Sequence, residues 1–156
     1  MPGDTSTAAA GLALHLLGKH PEAMVQAVAE VDAVVGQDDL TEAHMSQLPY
    51  LDSLIKETLR LYPPIHVGNR IAAQDIECSV NSKPAARHGF HLPVASDCRY
   101  WDAPEEFRPE RFDRGGDRPP AFTYIPFGGG PRACIGAAFA QVEAKVVLIP
   151  HFAAVE

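Results

Sequence analysis

The first third of the chain and its last part space apolar residues as helices do. Residues 5–17 are small or apolar, which predicts a first helix with Asp4 as its N-cap and Gly18 as its stop. A second helix is predicted over residues 21–35, because apolar side chains recur there at steps of three and four. The side chains on that face are Met24, Val28, Val31 and Val35.

Two further helices follow from the same pattern. Residues 49–62 predict a helix that Pro63 ends, with Glu57 and Arg60 together on its polar face. Residues 135–149 predict a last helix that Pro150 stops. The apolar face of the helix over 49–62 is formed by Leu51, Leu54, Ile55, Thr58 and Tyr62.

Proline divides these helices. Ten of the 14 prolines lie between Pro63 and Pro131, where we expect short extended pieces around residues 66–76 and then an irregular stretch. A structureless stretch of that length is uncommon in a domain unless it is functional. The predicted fold is therefore mainly α with minor β structure.

Composition agrees with one ordinary domain, since 46% of the 156 residues are hydrophobic and 21% are charged. The net charge of -7 excludes the broad basic surface that nucleic acid or anionic lipid requires. No apolar run reaches the roughly 18 residues of a membrane span. The three cysteines, an odd number with no close pair, predict at least one free thiol and favour a reducing, cytoplasmic compartment over a disulfide framework.

One glycine-rich string stands out as candidate chemistry. It sets Cys134 among glycines, close to Arg132 and to the start of the predicted last helix. A helix N-terminus and a nearby arginine favour thiolate over thiol, and glycines let the backbone approach a large flat group. Phe127 would shield one side of that group. The alternative is a buried structural cysteine beside an ordinary glycine-rich turn.

Three motifs in order resemble the cytochrome P-450 family. Residues 127–136 match its haem-binding loop Phe-x-x-Gly-x-Arg-x-Cys-x-Gly at all five positions, residues 57–60 resemble its Glu-x-x-Arg helix, and residues 107–112 resemble its meander signature. The resemblance implies the C-terminal part of that fold, with residues 1–156 as a single partial domain. Residues 78–98 depart from the family pattern, and only Asp97 there stands in its place.

The resemblance implies a site for haem b. Cys134 would be the thiolate ligand of the haem iron, and Arg132 and Arg70 would pair with the haem propionates. Gly130 and Gly136 would allow a tight turn and the close approach of the last helix to the macrocycle. For Arg70, a solvated surface charge is the alternative.

The resemblance also implies a buried ion network of Glu57, Arg60 and Arg111 that locks helix to meander. The alternative is an exposed Glu/Arg pair that contributes only about 0.2 to 0.5 kcal/mol. Asp4 and Thr5 resemble the acid and alcohol that carry protons to iron-bound dioxygen in the family. Pro2 replaces the glycine of that motif, and Asp4 as a simple helix cap is the alternative.

The implied activity is that of a haem-thiolate monooxygenase, which inserts one oxygen atom from O2 into a small organic substrate. Electrons would come from a separate ferredoxin or flavin reductase that docks near Cys134. The alternative is a truncated, inactive remnant that binds haem weakly or not at all. Exposed apolar helix faces would favour self-association. The cations expected at the docking surface are Arg114, Arg118, Arg132 and Lys145.

Overall fold

Helices make up most of the regular structure in the described residues, which in this computed structural model are 4–65, 67–68, 90–91, 98–113 and 119–153. Short 3₁₀ turns lie at Pro109–Phe112 and Gly130–Arg132. The mainly α prediction is confirmed. The helices are α1 (Asp4–Lys19), α2 (Pro21–Val34), α3 (Glu42–Met45), α4 (Pro49–Leu61) and α5 (Ala137–Ala153).

In the described residues, the minor β structure is one antiparallel pair. Strand β1 (Val67–Gly68) and strand β2 (Phe90–His91) align Val67 with His91 and Gly68 with Phe90. Strand β1 falls within the region where the sequence predicts extended pieces. Most of residues 78–98, where the family pattern is lost, lie outside the described residues.

The junction between α1 and α2 differs slightly from the prediction. Helix α1 includes Asp4 as its first residue and continues through Gly18 to Lys19, so Gly18 is not its stop. The helix ends where the His20 N–H donates to the carbonyls of Leu16 and Leu17, at 3.0 and 3.2 Å. Pro21 then opens α2 at a first-turn position where a missing N–H has no cost.

Helix α4 is buried on more than one face because it packs against the other long helices and against the 3₁₀ turn at Pro109–Phe112. Glu57 and Arg60, predicted together on the polar face of this helix, are 0% and 1% exposed, so that face is buried as well. Tyr62, predicted on the apolar face, is 48% exposed. The core that α4 shares with its neighbours includes Leu16, Leu17, Ala27, Val31, Leu51, Leu54, Leu148 and Phe152.

Helix α5 runs past the proline expected to stop it. Pro150 lies inside the helix, which continues to Ala153. Proline removes one backbone hydrogen bond, a cost of about 3 kcal/mol in a helix interior. Leu148 and Phe152, on either side of Pro150, are 0% and 1% exposed, so their burial in the core offsets that loss.

Among the described residues, no helix combines the length and apolar character needed to cross a bilayer.

Candidate functional site

A buried ion network joins α4 to the meander, which we define as residues 98–113. The Arg60 Nε and Nη2 groups donate to the two carboxylate oxygens of Glu57, at 2.7 and 2.8 Å. Both side chains are fully buried. The Arg111 Nε group donates to Glu57 Oε1 at 3.2 Å. The predicted network of these three residues is therefore confirmed, and the exposed pair is excluded.

Backbone groups of the meander complete this network. Glu57 Oε1 also accepts the backbone N–H of Arg108 at 3.0 Å. Arg60 donates to the carbonyls of Pro104 and Glu106, at 2.7 and 3.2 Å. Arg111 donates to the carbonyls of Asp102 and Ala103. Two guanidinium groups share one carboxylate, and the backbone carbonyls accept further N–H donors of both.

Aromatic side chains continue from the network towards the glycine-rich loop. The Arg60 guanidinium lies 5.2 Å from the centre of the Trp101 ring. Ring centres are 5.7 Å apart for Trp101 and Phe112, and 4.8 Å apart for Phe112 and Tyr124. Burial, and secondarily the Glu57 carboxylate, raise the pKa of the Tyr124 phenol, which therefore stays neutral at physiological pH.

A turn and one long-span hydrogen bond shape the candidate loop. The Gly128 N–H donates to the Ile125 carbonyl at 2.9 Å, and the Cys134 N–H returns to the Phe127 carbonyl at 2.9 Å. Gly128 and Gly130 have φ of +75° and +72°, a region that disfavours residues with a Cβ. Phe127 is partly buried against the core. Gly130 was predicted to allow a tight turn, and its positive φ is a conformation that favours glycine at this position.

Cys134 lies just before α5 and is exposed, so the buried structural cysteine is excluded. Its carbonyl accepts the N–H of Ala137, the first residue of α5, at 3.4 Å. A Cβ added to Gly136 would lie 3.8 Å from the Cys134 sulfur, which is an ordinary van der Waals contact. The sulfur is open to a large group because Cys134 is exposed and Gly136 places no side chain beside it.

Apolar side chains are exposed next to Cys134 in the sequence and along α5. Ile135 is fully exposed, and Phe139 and Val142 follow it along α5 with 70% and 46% of their surface exposed. An open sulfur, a missing side chain beside it and an adjoining apolar face fit a flat, largely apolar macrocycle with a metal at its centre. Within the described residues, no three His, Cys, Asp or Glu side chains group as a metal site, and the candidate donor here is the single sulfur of Cys134.

The remaining predicted site residues lie at different places. Arg132 is exposed beside Cys134 and makes no hydrogen bond or ion pair within the described part of the chain. Thr5 is exposed in the first turn of α1, a helix that packs on α5. The side chain of Asp4 and all of Arg70 lie outside the described residues. The roles assigned to these residues stay predictions.

Lys145 does not belong to an exposed docking surface. Its Nζ atom lies 2.7 Å from Asp52 Oδ1 and donates to the Met45 carbonyl at 2.6 Å. Only 7% of its side chain is exposed, because it joins α5 to the start of α4. Arg114 and Arg118 lie outside the described residues. Of the cations predicted at the docking surface, Arg132 is the one that is exposed within the described residues.

A second anchor at the start of α4 was missed by sequence reasoning. The two Glu30 carboxylate oxygens accept the backbone N–H groups of Tyr50 and Leu51, at 2.7 and 2.8 Å. These amides belong to the helix N-terminus, where no backbone acceptor is available. A glutamate of α2 that caps a different helix leaves no local signal in the sequence.

Comparison with known proteins identifies the family. The family model for cytochrome P-450 matches residues 3–152. Cytochrome P-450 4d2 of Drosophila melanogaster is 36% identical over 96% of this chain and 31% of its own length. Cytochrome P-450 4V2 of Homo sapiens is 39% identical over 96% of this chain and 30% of its own.

A relative with a different name agrees with this result. Thromboxane-A synthase of Mus musculus is 41% identical over 86% of this chain and 26% of its own length. The chain thus spans about 30% of the length of the first relatives it matches. The matched motifs and the loop around Cys134 have one common explanation, which is that the chain belongs to the cytochrome P-450 family.

Proposed function

We propose that this chain carries the haem-thiolate centre of a monooxygenase-type oxidoreductase. The cofactor would be haem b, and the reaction would insert one oxygen atom of O2 into a small organic substrate. Two electrons and two protons would reduce the second oxygen atom to water. The observation that carries the proposal is the loop in which Cys134, held by Phe127 through its amide, presents an open sulfur beside Gly136.

The chain's own residues would hold the cofactor. Cys134 would ligate the iron, and the exposed guanidinium of Arg132 would grip a propionate through two N–H donors. Arg70 would supply a second cation for the propionates. Ile135 and Phe139 would cover part of the macrocycle, since both are exposed apolar side chains close to Cys134 in the sequence. Haem iron with a thiolate ligand favours cleavage of the O–O bond of dioxygen.

Protons and electrons would arrive by separate routes. At the start of α1, the Thr5 hydroxyl would pass protons that Asp4 takes up from water. A ferredoxin or a flavin reductase would supply the electrons. Arg132, exposed next to Cys134, would attract the acidic surface of such a donor. The buried network of Glu57, Arg60 and Arg111 would support the loop and take no part in the reaction.

The test is haem reconstitution followed by reduction under carbon monoxide. The chain, Cys134→Ser and Cys98→Ser are compared, because Cys98 is also an exposed free cysteine and serves as the matched control. We expect a Soret band shifted far to the red in the chain and in Cys98→Ser, and its loss in Cys134→Ser. No haem uptake, or a band that survives in Cys134→Ser, would contradict the proposal and favour the inactive remnant.

A further inference from the structure

Phe122 occupies a turn position that normally takes glycine. The Thr123 N–H donates to the Pro120 carbonyl at 3.1 Å, which closes a four-residue turn with Phe122 as its third residue. Its φ of +66° lies in the left-handed region, which turns of this kind fill with glycine or asparagine. The Phe122 side chain is also 68% exposed, so little burial offsets the strain. The turn alone would select glycine.

The Phe122 ring contacts the glycine-rich loop. A Cβ added to Gly129 would lie 3.3 Å from Phe122 Cε1 and 3.6 Å from Cδ1, so the ring lies against the open side of that glycine. The turn that carries the ring is fixed, because the Thr123 hydroxyl donates to the Pro120 carbonyl at 2.7 Å and Thr123 is buried. The ring is therefore held against the backbone that separates Phe127 from Cys134.

We propose that Phe122 is a positioning residue for Cys134, an inference that rests on the proposed function. Three consecutive glycines have more conformational freedom than any other residues, and this freedom opposes a fixed direction for the sulfur. The ring against Gly129 restricts the segment between the two ends of the Cys134 to Phe127 hydrogen bond. Strain at Phe122 is maintained because a glycine there would leave the loop unsupported.

The first test uses the haem-free chain and site-resolved amide hydrogen exchange. In Phe122→Gly the Cys134 amide should exchange at least about threefold faster, since its bond to Phe127 opens more often. The thermal midpoint should stay the same or rise, because glycine relieves the strained turn. Phe122→Tyr, which keeps the ring, should retain the protection of the original chain. Val25→Ala, at an exposed valine of α2, is the control.

The second test follows ligation. After haem loading and reduction under carbon monoxide, Phe122→Gly should lose part of the thiolate-ligated fraction that the chain and Phe122→Tyr retain. Unchanged Cys134 exchange in Phe122→Gly, or faster exchange with an undiminished thiolate-ligated fraction, would overturn the positioning role. A carbon monoxide spectrum that is indifferent to Cys134→Ser would instead overturn the proposed function, and the exchange result would not change.

Discussion

Glu57 is the carboxylate that two buried or nearly buried arginines, Arg60 and Arg111, share. Glu57→Gln keeps the side-chain shape but removes the negative charge that these guanidinium groups share. We expect the free energy of unfolding to fall by about 3 to 5 kcal/mol, because both buried guanidinium groups lose the negative charge that they share. Urea unfolding followed by circular dichroism measures this change.

The matched control is Glu22→Gln, at a carboxylate that is 72% exposed and 3.2 Å from the His20 ring. An exposed pair of this kind contributes no more than about 1 kcal/mol. Equal effects of the two substitutions would contradict a special role for the buried network.

For single residues, the sequence predicts which side chains interact only where a recognised motif contains both of them. The spacing of Glu57 and Arg60 with the family resemblance predicts their pairing, and the structure confirms it. The Pro104 and Glu106 carbonyls, which also accept from Arg60, were not predicted because every residue carries a carbonyl. Lys145 was predicted at the surface, since a lysine in a helix is usually solvated. Only the fold shows that Asp52 lies close enough to pair with the buried ammonium group of Lys145.

At the scale of elements, Pro150 lies inside α5 and destabilises it, so replacing this proline should stabilise the helix. Pro150→Ala supplies a backbone N–H that can donate to the Val146 carbonyl one turn earlier. We expect the free energy of unfolding to rise by about 1 to 3 kcal/mol, since the helix already continues through this position. The shift of the urea midpoint at constant slope measures the gain.

Pro21→Ala is the control, because Pro21 lies in the first turn of α2, where its missing N–H is not needed. Its midpoint should not increase. A loss of stability in Pro150→Ala would show that the proline supports the helix in a way that its backbone chemistry does not explain.

The spacing of apolar residues in the sequence predicted that the helices exist, but it did not predict where they end. The apolar repeat predicted α2 and α4 within one or two residues, because a buried face needs the same spacing whatever it packs against. Gly18 and Pro150 were both expected to stop a helix, yet both lie inside one. The free energy that a residue's helix propensity contributes is smaller than the free energy gained by burying Leu17 or Phe152 in the core. Packing therefore decides where these helices end.

The whole molecule presents an apolar stripe to solvent. Phe139, Val142 and Val146 are 70%, 46% and 45% exposed and follow the helical repeat of α5. We expect the haem-free chain to self-associate through this stripe, because burying it removes apolar surface from water. Phe139→Gln combined with Val142→Gln should lower the weight-average mass in sedimentation velocity at equal protein concentration.

Val25→Gln provides the comparison, since Val25 is 68% exposed on α2 and lies on a different helix. That substitution should leave the sedimentation profile as it is. A chain that is already monomeric over a wide concentration range, or a double variant that associates as before, would contradict the role of the stripe.

The position of Glu57 also has a consequence for how the chain acquires its structure. Its partner Arg60 is three residues away, whereas its contacts with Arg108 and Arg111 span 51 and 54 residues. Closing so long a loop costs entropy before any contact repays it. During synthesis, we therefore expect Glu57 and Arg60 to remain a local hydrated pair until the meander leaves the ribosome, so that their charges lose water late in folding.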